Sequence, residues 1–470
     1  MIAVLGAETP NGREIAKKLR LERYAVRLMA SDASLAEIKS SDLRGIILAG
    51  EGANEAPPPK EEILSLGIPV LALNASARAL LRALHAPAKD DGIRDRVMPI
   101  TLHESPLFEG LEALERWVAK AEPFAAPEGF RVIAESEGFP LAYGKEASGI
   151  YLLQFQVERN DPDGMAMLLA FADKVCGCTP WWTIEYIVES AERTIREAAK
   201  HGNVICAMSG GLDSAVAAML ARRALGDEIS YVFVDTGLLR EGEADGVEAY
   251  YTQMLSKAFH RVDASRQVLS ALAGATEICE KEKLIDREIK RALVAEAGKI
   301  SGGAVFVKGT HHADVQNRGD RTPIDLFAPV VEPMHELFKE EVRLVGEHLG
   351  LSPDVLSRQP FPGMGLAARI YGEVTESRLL ALRRATALFE EELRSAGLIK
   401  RLSRHFAMFT SIGDQNAIIL RAIQGHEPNM SVARLPYDLL ERAAQTVLKE
   451  LPGVARVLYD ATPGPVEWLL

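Results

Sequence analysis

The residues Ser209-Gly210-Gly211-Leu212-Asp213-Ser214 combine two hydroxyls, two adjacent glycines and a carboxylate within one short turn. The apolar run 204–208 before them reads as a buried parallel strand. After them Val216, Met219 and Leu220 recur at helical spacing, so the turn joins a strand to a helix N-terminus. Backbone N–H groups and the helix dipole at such a junction suit an anion. Gly210 and Gly211 allow positive φ and a close backbone approach to phosphate. Ser209 and Ser214 can donate hydroxyl hydrogen bonds. Asp213 would repel phosphate by itself, and it makes sense where Mg²⁺ sits between the two. The loop lacks the Gly-Lys-Ser/Thr ending of a Walker loop. An ordinary strand-to-helix turn is the bland reading of the same residues.

The chain that must position this loop has 470 residues, enough for about three domains of roughly 150 residues. Its hydrophobic content of 47%, charged content of 26% and net charge of −12 fit a soluble protein acting on small molecules. They argue against a broad nucleic-acid surface. No run approaches the roughly 18 uninterrupted apolar residues of a membrane span. The start, Met1 to Gly6, reads as a strand without a basic signal-peptide region. Four cysteines, Cys176, Cys178, Cys206 and Cys279, are too few for a disulfide scaffold and point to a reduced cytoplasm. Cys176-Gly177-Cys178 has no further ligands at zinc spacing.

Short apolar runs at 2–6, 25–29, 45–49 and 69–74 alternate with helix-like segments, which predicts a parallel α/β sheet. Runs at 132–135, 140–144 and 149–155 read as strands of a mixed sheet. To about residue 178 the chain resembles the class I glutamine amidotransferases. The resemblance rests on Gly45-Ile46-Ile47-Leu48-Ala49-Gly50, Gly67-Ile68-Pro69-Val70-Leu71, Ser105-Pro106-Leu107-Phe108-Glu109-Gly110 and Gln154-Phe155. That family cuts glutamine with a cysteine, a histidine and a glutamate. Here Asn74 stands at the nucleophile's position in Ala72-Leu73-Asn74-Ala75-Ser76, and Gln156 stands at the base's position. Only Glu158 remains. An amide can neither form a thioester nor take the proton, so the domain is expected to be glutaminase-dead. Its retained role is structural, regulatory or merely inherited, and an unrelated α/β module is the alternative.

The segment from Cys176 to Thr183 reads as a connector, with structural cysteines and a helix-breaking Pro180. A helix from about Ile184 to Lys200 then leads to the opening loop. The Ser-Gly-Gly-x-Asp-Ser pattern resembles the ATP pyrophosphatases. Phe233-Val234-Asp235-Thr236-Gly237-Leu238-Leu239-Arg240 and Val262-Asp263-Ala264-Ser265 resemble the GMP synthase branch. So does the Gly309-Thr310 pair with Asp314, although Lys308 replaces the family's glutamine. Asp263 also reads as a helix cap. The neighbouring His311 and His312 are expected at the surface. Where the family carries a lysine-glycine lid, this chain has 317–325 with Arg318 and Arg321. The pattern resumes from Val331 to Arg343, and Lys339 is either a phosphate contact or a solvated helix charge. Arg358-Gln359-Pro360-Phe361-Pro362-Gly363-Met364-Gly365-Leu366-Ala367-Ala368-Arg369-Ile370 matches the family's second signature.

From about 371 a smaller α/β part follows, with a helix through Glu376 to Ala396, a part that forms the dimer interface in the family. The tail Pro463 to Leu469 departs from the family's ending and lacks the lysine and last glutamate used for xanthosine monophosphate. The resemblance thus implies an α/β protein in three parts. Residues 1–178 are the degenerate amidotransferase-like domain, 179–370 a parallel-sheet ATP pyrophosphatase domain of the adenine nucleotide α-hydrolase type, and 371–470 a small dimerisation domain. It implies ATP and Mg²⁺ as cofactors. Ser209, Gly210, Gly211, Asp213, Ser214, Val234, Asp235, Gly309 and Thr310 would hold ATP, with Asp213 at the metal. Asp213 and Lys339 would act in catalysis, and Arg240, Arg369 and Glu467 would hold the acceptor. The expected reaction is adenylation of an acceptor nucleotide, by resemblance xanthosine monophosphate, followed by amination with free ammonia or that of a separate glutaminase. The expected partners include a second copy of the chain, without nucleic acid or membrane. Adenylation of a different acceptor, thiolation of a substrate, a non-catalytic nucleotide-binding regulator and a second-subunit role are the rivals.

Overall fold

The computed structural model describes residues 1–39, 42–50, 61–84, 93–112, 114–157, 162–255, 258–300, 304–317, 329–358, 361–425 and 430–463. They divide into two compact units, Met1–Ile187 and Val188–Leu470.

The first unit is built on β1 (Ile2–Leu5), β2 (Val26–Met29), β3 (Gly45–Ala49), β4 (Val70–Leu73), β5 (Ile93–Leu102), β6 (Leu114–Ala121), β7 (Arg131–Ser136), β8 (Phe139–Lys145) and β9 (Ile150–Leu153). Their order is β2-β1-β3-β4-β9-β8-β7-β5-β6. The strands from β2 to β9 run parallel and the rest antiparallel. Every residue of β1, β3, β4 and β9 is buried, as expected of apolar runs covered on both faces. β5 and β6 are absent from the periodicity reading. Arg94, Asp95, Arg96 and Pro99 interrupt the first, and Glu115, Arg116 and Lys120 the second. Antiparallel strands with one wet face carry such residues, so apolar runs do not reveal them.

In the second unit β10 (Asn203–Met208), β11 (Ile229–Asp235), β12 (Phe259–Asp263), β13 (Ala304–Val307) and β14 (Val330–Val331) form a fully parallel sheet, ordered β12-β11-β10-β13-β14. The chain enters at the central β10, adds β11 on one side and returns with β13 on the other. This makes the carboxyl end of β10 a topological switch point, where ligands of open parallel sheets bind. A second sheet joins β15 (Arg404–Ile412), β16 (Gln415–Gln424), β17 (Ser431–Val432) and β18 (Arg456–Tyr459). The helix Glu376–Ser395 starts at Thr375, whose hydroxyl accepts the Arg378 N–H at 3.3 Å. One buried cluster runs from Ile205, Val232 and Phe306 to Leu382, Phe389 and Ile418. The parallel sheet and the C-terminal elements therefore share a core. Among the described residues no helix is long and apolar enough to cross a membrane.

Candidate active site

The helix Leu212–Leu225 begins directly beneath the loop 209–214, and its buried face is rich in alanine: Ala215, Ala217, Ala218 and Ala221. Small side chains let it lie close on the sheet and aim its N-terminus at the β10 edge. The loop is then closed by its own hydroxyls. Ser214 Oγ accepts from the Ser209 N–H at 3.2 Å and from Ser209 Oγ–H at 3.1 Å, while its own proton goes to the Gly211 carbonyl at 2.9 Å. Ser209 Oγ also accepts the Gly211 N–H at 3.3 Å. Gly210 has φ +82°, and a Cβ there would stand 2.7 Å from Val247 Cγ2, so only glycine fits. The far wall is Gly309. A Cβ on it would lie 2.4 Å from the Asp213 carbonyl oxygen. Thr310 is buried beside it and donates to Glu332 at 2.8 Å.

The helix Lys339–His348 packs on this first helix through Gly346, where a Cβ would meet Val216 at 3.1 Å. Glu341 accepts the Phe338 N–H at 2.8 Å and fixes the helix start. That close crossing brings Lys339 Nζ to both carboxylate oxygens of Asp213, at 2.5 and 2.6 Å. The lysine is therefore neither a freely solvated charge nor remote from the loop. His311 departs from the surface expectation. It is 8% exposed, and its ring and backbone N–H both meet the Asp314 carboxylate, whose pKa is lowered by that pairing against the opposing effect of burial.

At the end of β11, Val234 is buried and Asp235 faces protein partners. Its carboxylate accepts the Gly237 N–H at 2.9 Å and pairs with Arg261 at 2.6 Å. Arg261 also holds Asp245 and Glu248; no motif in the sequence singles it out. Asp263 accepts the Ser265 N–H at 2.9 Å, a turn bond one residue ahead of the helix Ser265–Ala271, whose N-cap is Ala264 and not Asp263.

The loop 361–369 lies on this turn. The Leu366 N–H donates to the Leu238 carbonyl at 2.8 Å, and Gly365 at φ +58° has no room for a Cβ, which would stand 2.4 Å from that oxygen. The contact joins two distant signatures and brings Arg240 and Arg369 to one ring, Phe361, at 4.4 and 5.1 Å. Arg369 is 2% exposed and also stacks over Phe406 at 4.4 Å. Burial, and then the charge of Arg240, push its pKa down. Among the described residues, Nε and Nη1 of Arg369 and Nε and Nη2 of Arg240 are buried without a hydrogen-bond partner. A cleft of about 230 Å³ opens beside them, lined by Arg240, Glu243, Arg358, Arg383 and Glu390 among others. Arg358 Nη1 donates to the Gly210 carbonyl, so the cleft adjoins the glycine loop. Arg358 opens the second signature without a role evident from sequence, and Arg383 and Glu390 lie on an amphipathic helix whose pattern reads only as core packing. Glu467 and the lid residues Arg318 and Arg321 lie outside the described residues.

In the first unit Asn74 sits at the β4-to-helix turn with φ +49° and is 1% exposed. Gly50 presses on the turn, with room for no Cβ: one would stand 2.3 Å from the Ser76 nitrogen. This is a sharp, crowded strand-to-helix elbow with a buried amide at its apex. Gln156 is half-buried, and its N–H donates to the Trp117 carbonyl at 3.3 Å. Glu158 lies outside the described residues. Gln154 is fully buried and pairs with both backbone groups of Glu122 at 2.9 Å. The connector cysteines are buried free thiols. The Trp181 and Trp182 N–H groups both donate to the Arg23 carbonyl at 2.8 Å.

The GMP synthase (glutamine-hydrolyzing) of Clostridium novyi is 34% identical over 97% of this chain and 96% of its own. That of Thermomicrobium roseum is 35% identical over 99% and 96%, and that of a Parafrankia strain 36% over 97% and 94%. The chain belongs to the GMP synthase family. The profile of the NAD synthase family matches residues 183–369, the parallel sheet with its loop. The chain is thus placed among the ATP-dependent, AMP-forming ligases, with an ATP pyrophosphatase-type fold in its second unit. The solved structure of an NMN synthetase from Francisella tularensis matches at 17% identity, covering 39% of this chain and 77% of its own with a TM-score of 0.34.

Proposed function

We propose that the second unit adenylates an anionic nucleotide, by family resemblance xanthosine monophosphate, and aminates it with ammonia that the chain does not itself release from glutamine. What carries this reading is Arg358, which touches the glycine loop and lines the cleft where guanidinium N–H groups stand buried without partners. Such groups are costly unless an anion meets them.

Gly210 and Gly211 would offer backbone N–H groups to the pyrophosphate end of ATP, at a helix N-terminus. Asp213 is the carboxylate in the loop, and one carboxylate with substrate phosphates is the usual holding set for Mg²⁺. The residues therefore fit that ion, which neutralises phosphate charge when bound. Lys339, displaced from Asp213, would meet the charge developing on the leaving pyrophosphate. The acceptor oxygen attacks the α-phosphorus, the bond to the β-phosphate bridge breaks, and pyrophosphate departs with the electron pair. Ammonia then attacks the activated carbon, AMP leaves with the bridging oxygen, and the nitrogen sheds its proton to water. The chain's contribution is alignment and electrostatics.

Asn74 cannot be acylated as a thiol is, and Gln156 cannot take a proton, so ammonia comes from solution or from a separate glutaminase. In this reading the parts 1–178, 179–370 and 371–470 are the inert amidotransferase-like part, the ATP part and the dimerising part, in a cytoplasmic homodimer. The dimer reading is supported by Ile412, Leu458 and Tyr437, which are exposed on the C-terminal elements. Pyrophosphate release from ATP with ammonium, across a panel of nucleoside monophosphates, tests the proposal. Release dependent on xanthosine monophosphate supports it. Tight ATP binding without release for any acceptor would favour a nucleotide-binding regulator.

A further inference from the structure

The polar groups of the cleft beside the glycine loop are mostly committed to protein partners. Arg383 donates to the Leu239 carbonyl at 2.9 Å and to the Gly237 carbonyl at 2.6 Å. Arg358 is committed to the Gly210 carbonyl. Glu243 accepts the Arg240 N–H at 3.1 Å and faces that guanidinium at 3.7 Å. Glu241 faces Arg384 at 3.8 Å. The Thr386 hydroxyl proton goes to the Leu382 carbonyl at 2.9 Å. What remains in the lining, among the described residues, is the unpartnered N–H groups of Arg240 and the carboxylate of Glu390, with the buried Arg369 packed over the same Phe361 ring as Arg240.

Glu390 lies on the helix Glu376–Ser395, four and seven residues after Thr386 and Arg383, so the three share the face that lines the cleft. Its side chain is 23% exposed, and among the described residues its one ion-pair contact is His405 Nε2 at 3.7 Å, beyond hydrogen-bond length. Burial raises its pKa, against the charges of Arg240, Arg394 and Arg369, which lower it without bonding to it. His405 brings no positive charge at neutral pH, because burial and the surrounding arginines push its pKa down to about 4. A half-buried carboxylate without a hydrogen bond is a cost that a leucine would avoid. Its presence makes sense where a ligand supplies the missing donor.

We propose that Glu390 is a specificity-determining residue of the acceptor cleft, selecting an anionic acceptor that also presents an N–H or O–H donor. The proposal rests on the reading of this cleft as the acceptor site. Arg240 takes the anion, and the buried charge of Arg369 on the same Phe361 ring adds to the attraction. Glu390 takes the donor and rejects anions that lack one by repulsion from its own charge. A polar site that must be satisfied discriminates more strongly than an apolar pocket does.

Binding of two probes by the full chain separates this role from a structural one. Xanthosine monophosphate carries both an anion and donors; sulfate carries an anion alone. Glu390→Gln and Glu390→Leu should each bind the nucleotide about ten- to a hundredfold more weakly, the range for a hydrogen bond to a charged group. Both should bind sulfate more tightly, since a repelling charge is gone. ATP affinity should stay as in the parent chain, which reports an intact fold. Parallel weakening of both probes, unchanged nucleotide affinity, or a parent chain that binds no nucleoside monophosphate would overturn the role. Nucleotide binding that responds to Glu390 but yields no pyrophosphate would sink the ligase reading alone and leave Glu390 as a binding determinant.

Discussion

The elbow at Asn74 and the loop at Ser209–Ser214 are both tight turns from a parallel strand into a helix, and both are kept by backbone crowding. Gly50 crowds the first and Gly309 the second. They differ in what the side chains still offer. Around the loop, Lys339 pairs with Asp213 and Arg358 donates to the Gly210 carbonyl. At the elbow the apex carries a buried amide, Asn74. The turn at Asn74 also terminates β4 and starts a packed helix, which holds its backbone geometry independently of any chemistry at its apex. A retained fold is evidence of function only where the reacting groups are retained with it.

The largest effect that would sharpen this contrast is at the loop. Asp213→Asn keeps the shape of the side chain and removes its charge, and should lower pyrophosphate release about 10²- to 10³-fold. The same assay on Asn74→Gly should show no change. Equal losses from the two would erase the distinction between the regions.

Next in size is a pH effect at His405, in the second unit. His405 is held neutral, with its pKa moved from 6.5 to about 4. An unfolded chain therefore binds more protons than the folded one within that window. Stability falls as pH drops from about 6.5 toward 4, by at most roughly 3 kcal/mol. His405→Phe should flatten this dependence in thermal melts recorded from pH 7.5 to 5, and an unchanged slope would refute the assignment.

Arg261→Met should raise the KM for ATP about tenfold with little change in kcat, because Asp235 loses its cation while the chemistry stays in place. A fall in kcat alone would show that Arg261 acts on the reacting centre instead. The smallest effect belongs to the elbow. Asn74→Ala should destabilise the first unit by about 1 kcal/mol, the cost of a left-handed backbone with an ordinary side chain, whereas Asn74→Gly should not. Denaturant midpoints of the two variants decide it, and equal midpoints would mean that the amide rather than the backbone matters.

Much of this was legible in the sequence. The parallel strands read directly, because burial on both faces leaves continuous apolar runs, as at Ile46-Ile47-Leu48. The glycine loop read directly because its residue types have few other uses together. β5 and β6 were illegible, since strands with one wet face hide among charged residues. The partner of Lys339 was illegible as well, because it depends on the close crossing at Gly346. The convergence of Arg240 and Arg369 on Phe361 needed the contact between Leu366 and Leu238, which no local pattern encodes. Glu390 looked like any polar residue of an amphipathic helix. Only the commitment of its neighbours to other partners sets it apart.

The most direct test of the account compares nitrogen sources. Pyrophosphate and AMP formation are measured with ATP, xanthosine monophosphate and either ammonium or glutamine. The account predicts turnover with ammonium and none above background with glutamine, with no glutamate released. Turnover with glutamine matching that with ammonium, accompanied by stoichiometric glutamate, would contradict it, because the elbow at Asn74 would then still be a working glutaminase.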